Sequence, residues 1–159
     1  LHDLYGTVAT ARHDWTEAAH WHHKVVQAGD GSLRTWFDLV AVWSLLTARC
    51  LSAEHLEITG AELREPWRCC REQHIDVLQY RGVVATALAL HRLGHDDLAD
   101  RFIAWGHAND PLGAMSRAGF DGLLEIAGLP TTTIEPTENL DTLLEDLFTI
   151  ADGLDAVQM

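Results

Sequence analysis

Apolar residues recur along this chain at spacings of three and four rather than two, the period of helices with one buried face. Val40, Trp43 and Leu46, with Phe37 and Leu39 beside them, predict a helix over 33–49. Ser32 is its expected N-cap, with Thr35-x-x-Asp38 near its start. Val83, Ala87, Leu90 and Leu93 predict another helix, closed by Gly94 in the C-cap position. Asp96 or Asp97 then opens a third, an acid being favoured where a helix begins. Thr137 is expected to cap a last helix that reaches about Ala156, with Glu138 in its first turn. Leu140, Leu143, Leu144, Leu147, Phe148 and Leu154 form a stripe along it, interrupted only by Gly153, and that stripe has to bury against something. The β-branched run Thr131–Ile134 is short and bracketed by Pro130 and Pro136, so it reads as linker rather than strand. The expected class is all-α, with about eight or nine helices joined by short connections and therefore paired as antiparallel hairpins.

Composition narrows the function classes. The chain has 159 residues, 47% of them apolar and 22% charged, which fits one globular domain. Acids outnumber bases 24 to 11, a net charge of −13, whereas a nucleic-acid surface or an anionic membrane surface requires the opposite balance. No apolar run is long enough for a membrane span and no secretory leader opens the chain, so a cytoplasmic location is expected. Cys50, Cys69 and Cys70 do not form a disulfide framework, which agrees with a reducing compartment. Leu1 rather than Met as the first residue implies a piece of a longer protein. Ten arginines against the single Lys24 suggest a high-GC bacterial source.

The charge is uneven. Residues 121–159 hold nine acids and no base. That divides the chain into a helical-repeat domain over 1–129, a linker over 130–136, and an acidic amphipathic helix over 137–159 that packs on the repeats. Its acidic face, Asp141, Glu145, Asp146 and Asp152, has no base nearby in sequence and is expected to point outward, where it could meet a basic partner.

Two segments align. Tyr5-Gly6, Arg12-His13-Asp14-Trp15-Thr16-Glu17-Ala18 runs parallel to Thr86-Ala87, Leu93-Gly94-His95-Asp96-Asp97-Leu98-Ala99. Each reads as helix, tight turn, and second helix with an early alanine where two helices cross closely. Pro111 follows Ala99 by twelve residues, Asp30 holds the same place after Ala18, and a third register sets Ala53 at the alanine position, with an insertion around Pro66–Gln73. This pattern resembles the tetratricopeptide repeat over residues 1–111. The wording Ala-Arg-His-Asp-Trp-Thr-Glu-Ala-Ala also resembles the degenerate C-terminal repeats of large bacterial LuxR-type and signal-transduction ATPase regulators. The resemblance implies stacked hairpins in a short right-handed solenoid, ended by the acidic helix as a cap. It further implies a concave face built from first helices, presenting Arg81, Leu88, His91 and Arg92, with Asp3, Thr7 and Thr10. The family's lysine–asparagine clamp for peptide carboxylates is absent, as are a phosphate loop and a basic recognition helix.

Candidate chemistry is sparse. His20 and His23 share a helix face and are the best metal candidates, but no further ligand spacing accompanies them, so packing or surface roles are favoured. Cys69-Cys70 with His74 lacks structural-zinc spacing, and no serine stands in a Gly-x-Ser-x-Gly elbow. Asp96, Asp97 and Asp100 fit helix capping better than a catalytic pair. Trp36 and Trp43 are expected in the core, with Trp15, Trp21 and Trp105 at repeat-packing positions. The expected function is a non-enzymatic, cofactor-free interaction or sensor module of a larger regulatory protein. It would bind a protein partner, other domains of its parent chain or a second copy. The alternatives are a small-molecule sensor with its ligand in the inter-repeat groove, and a histidine-based metal protein.

Overall fold

A computed structural model describes residues 1–29, 33, 35–52, 55–109, 121–129 and 138–157. They are mainly helical, with turns and short irregular connections and no strand among the described residues. The helices are α1 (His2–Ala11), α2 (Trp15–Ala28), α3 (Trp36–Ser52), α4 (Gly60–Glu72), α5 (Gln79–Arg92), α6 (Asp96–Ala108) and α7 (Leu140–Val157). A 3-10 turn, Asp76–Leu78, leads into α5, and 121–126 form a further short helical stretch.

Side-chain caps set the boundaries. Asp14 accepts the Glu17 amide at the start of α2. Thr59 and Glu62 form a reciprocal capping box on α4, which satisfies two of the amides left over at a helix start. α3 begins later than the periodicity predicts. The Thr35 amide donates to Asp38 Oδ2 and the Asp38 amide to Thr35 Oγ1, so Thr35 is the cap, while Ser32 lies outside the described residues. α7 begins at Leu140 rather than Thr137, which also lies outside the described residues. Asn139 Oδ1 accepts both the amide and the hydroxyl of Thr142 there. Pro66–Gln73 is no inserted loop: it forms the body and C-cap of α4, with Pro66 buried inside the helix.

One turn geometry recurs four times. At His13, His74, Gly94 and Gly128 the backbone φ is positive (57°, 53°, 84° and 72°). In each case that residue's amide bonds to the carbonyl three back, and the next amide to the carbonyl five back, for example Gly94 to His91 and His95 to Leu90. This is the Schellman ending of a helix, which glycine adopts without strain and histidine does not. His13 thus stands where its alignment with Gly94 places it. Ala18 and Ala99, five residues beyond those turns, are both fully buried. Ala53 lies outside the described residues.

The packing order follows from contacts. α1 packs on α2, α2 on α3, α3 on α5, and α5 on α6, while α7 lies mainly against α4 and also against α6. α1 and α2 run in opposite directions: Tyr5 meets Trp21, Thr10 meets His22, and His13 stacks on Trp15 beside the turn. The main core runs from Leu39 to Ala151 and centres on Trp43, Trp67 and Phe102. Trp67 donates its indole N–H to Thr86 Oγ1 at 2.8 Å, so both buried polar groups are satisfied. α5 crosses beneath these rings at Gly82, and every residue from Gly82 to Leu90 is buried. Trp36, expected in the core, is 50% exposed and stacks on the exposed Phe37 at the start of α3. Ala9, Ala18 and Ala48 form a separate, smaller cluster between α1, α2 and α3.

A Cβ at Gly82 would stand 2.7 Å from the rings of both Trp43 and Trp67. Gly82→Ala is therefore expected to lower stability by about 1–3 kcal/mol through overpacking. His74→Gly relieves a left-handed histidine and is expected to raise stability by up to about 1 kcal/mol. Chemical denaturation of the two variants checks both signs.

Candidate functional site

Of the residues assigned to a concave face, Leu88 is core, while His91 and Arg92 lie at the end of α5. α5 lies chiefly between α3 and α6, and Leu88 is only 2% exposed, so it packs the core. His91 Nδ1 is 2.7 Å from Asp96 Oδ1, across the turn into α6, and Arg92 donates to the Cys50 carbonyl at the end of α3. Arg81, part-buried, lies over the Tyr80 ring. On α1, the Thr7 and Thr10 hydroxyls donate to the carbonyls of Asp3 and Gly6. His20 is exposed and sets its edge against Trp21, and His23 is exposed one turn on. No group of three or more His, Cys, Asp or Glu among the described residues could hold a metal ion.

Arginines and the terminal acids come together instead. Arg64 on α4 donates to Asp152 (2.8 Å) and Asp155 (3.1 Å), and Arg71, two turns along the same helix, holds Asp141. α7 therefore runs opposite to α4. On α6, Arg101 binds Glu138 through two nitrogens and Asp146 at 2.6 Å. Asp155 also accepts the Gly60 amide at the start of α4. A side chain at Gly60 would collide with the Ala151 carbonyl, so glycine permits the close approach. The expectation that the α7 acids have no base nearby is corrected: Asp141, Asp146 and Asp152 face solvent but pair with arginines, and the stripe Leu140, Leu143, Leu144 and Leu147 is buried. The bases were distant in sequence, and only the fold brings them near. Hydrogen bonds from Arg101 hold the Glu138 carboxyl below its ordinary range, and burial and nearby Asp96 and Asp97 push Asp100 up.

Recesses lie among the described residues. A polar cleft of about 520 Å³ lies between the start of α6 and α7, bordered by Asp96, Asp97, Arg101 and Asp146, the last two already paired. An apolar groove of about 270 Å³ lies among α2, α3 and α4, lined by Val26, Leu33, Val42, Leu45 and Pro66. The Arg49–Glu62 pair, 2.6 Å apart, sits at its edge. Among the described residues, exposed large apolar side chains include Leu1 just before α1, Leu4, Tyr5 and Val8 on α1, Trp36 and Phe37 on α3, and Val77, Ile126 and Val157. Leu1, Leu4, Val8 and Ala11 follow a three-four-three spacing, on the side of α1 away from the buried Gly6 and Ala9.

Reactive groups lie inside. Burial raises the Cys50 thiol to about 12 and the Cys70 thiol to about 11, far from the thiolate a nucleophile needs. Cys69 and Cys70 donate to the carbonyls of Leu33 and Ile75. His107, buried at the end of α6, is 2.6 Å from Asp121 and ties the 121–126 stretch to that helix. His22, grouped in the sequence with its neighbours His20 and His23, is instead buried between α1 and α2. Its one sequence signal is position: it falls on the same helix face as Ala18, four residues back.

Glu138 charges in the folded state below its ordinary value of 4.5, so its contribution is present above about pH 4.5 and lost as pH falls below it. Arg101→Gln is expected to cost about 1 kcal/mol or less at neutral pH, because the site is partly solvated, and to flatten the loss of stability below that pH. Thermal melts in low and high salt across the acid range measure both effects.

Comparisons with models of known protein families, with curated protein sequences and with solved structures find no match.

Proposed function

We propose that this chain is a non-enzymatic helical-repeat module, tetratricopeptide-like, that acts by binding protein within a larger bacterial regulatory protein. The recurring turn at His13 and Gly94, each followed five residues on by a fully buried alanine, supports the repeat reading. In that reading the helix pairs stack as a short right-handed solenoid and α7 is its cap, with leucines inward and acids held by arginines at its edges. The observation that carries the binding role is α1. It buries one small-residue face on α2 and leaves Leu1 (83%), Leu4 (58%) and Val8 (38%) exposed on the other. Such a contiguous apolar face on an otherwise acidic surface marks a docking site.

The groove among α2, α3 and α4 favours a second reading, a sensor of a small apolar molecule between repeats. A ligand at a hundred times its dissociation constant would raise stability by about 2.7 kcal/mol, which a thermal-shift screen of small apolar metabolites detects.

Leu4→Glu with Val8→Glu is expected to leave the melting temperature unchanged while abolishing binding of a fluorescent apolar probe such as anilinonaphthalene sulfonate. A large drop in melting temperature would show that the face packs within the fold, and would overturn the docking role.

A further inference from the structure

We propose that α1 is a pH-gated helix, docked on α2 while His22 is neutral and released when acidification charges that ring.

The seam between the two helices is thin. α1 buries only Gly6 and Ala9, and the layer beneath is Ala18 and Ala48, so the His22 imidazole is the largest fully buried group in it, with the half-buried Trp21 against His2 and Tyr5 at its edge. The ring is 4% exposed. It lies under Gly6, where a Cβ would stand 2.7 Å from its Cε1 and 2.8 Å from its Nδ1. On the other side, Nε2 is 3.4 Å from Thr10 Oγ1. The single Thr10 hydroxyl proton is committed to the Gly6 carbonyl at 2.8 Å, so the threonine oxygen can only accept from the ring. That assigns the proton to Nε2 and leaves the Nδ1 lone pair buried without a partner. A second proton would turn Nδ1 into a buried donor with no acceptor, inside a seam with no room for one.

The surrounding charges do not rescue the cation. Asp3 on α1 favours it and Arg81 on α5 opposes it, while burial, the largest influence, holds the ring below its ordinary 6.5. On α3, the titratable residues lie toward the ends: Asp38 beside Gly29, Arg49 on Glu62, and Cys50. With a lowered value in the docked state, docking strength is complete above about pH 6.5. It then falls about tenfold per pH unit until the docked ring itself takes up the proton. The main core, which excludes α1 and α2, is not part of this response. The gate does not depend on what the outer face of α1 binds.

Amide hydrogen exchange by mass spectrometry, corrected for intrinsic rates, tests this at about pH 7.5 and about pH 5.5. The expected result is a roughly tenfold loss of protection over His2–Ala11 at the lower pH, with Gln79–Arg92 unchanged. His22→Gln is expected to abolish the difference, and His20→Gln with His23→Gln to preserve it. If His22→Gln undocks α1 at neutral pH, an NMR titration of the wild-type ring decides. A midpoint below about 6.5 that coincides with loss of α1 protection supports the gate. A midpoint at or above that value, equal α1 protection at both pH values, or loss of protection in α5 together with α1 would overturn it.

Discussion

The fold depends on one close crossing. Gly82 lets α5 pass under Trp43 and Trp67, and those indoles in turn reach Phe102 and the Thr86 hydroxyl. Nine consecutive residues of α5, packed chiefly between α3 and α6, are buried. The middle of α5 is therefore core rather than a surface for a ligand. The periphery is built differently at its two ends. At one, α7 is bound by a leucine stripe and by arginines at three places. At the other, α1 is held by alanines, a glycine and one buried histidine, with Trp21 against His2 and Tyr5 at the rim.

That contrast explains how a chain of net charge −13 holds together. Nine of the acids fall after residue 120, yet they are not a free tail: Arg64, Arg71 and Arg101 take up five of them, Asp121 bonds His107, and the apolar side of α7 joins the main core. Each partly solvated pair contributes little by itself, and burial of the leucines supplies most of the attachment. The arginines fix the register in which the leucines enter.

Much of the helical framework was legible in the chain. Period and caps placed α5, α6 and most of α3, because buried faces and turn residues are local signals. Burial on more than one side was not legible. Leu88 sits on a helix whose polar ends, Arg81 and Arg92, suggest a surface, and only the neighbouring helices reveal that its middle is core. Ser32 is the better cap by type, yet the reciprocal bonds between Thr35 and Asp38 make Thr35 the cap. Trp36 lies two turns from Trp43 on the same face, but at the helix start that face runs out of partners. The arginine–acid pairing joins residues some 37 to 91 positions apart, and no local pattern announces it.

The three cysteines give the protein an internal clock. Each sulfur lies within or against the main core, and burial holds all three thiols protonated at neutral pH. An alkylating reagent therefore meets almost no thiolate while the helices stay closed. Cys50 sits in the last turn of α3, and Cys69 and Cys70 in the last turn of α4, so modification of either site records the opening of a different helix end. Loss of α1 alone would leave all three unmodified, and the order in which they react would report the sequence in which the rest of the chain comes apart.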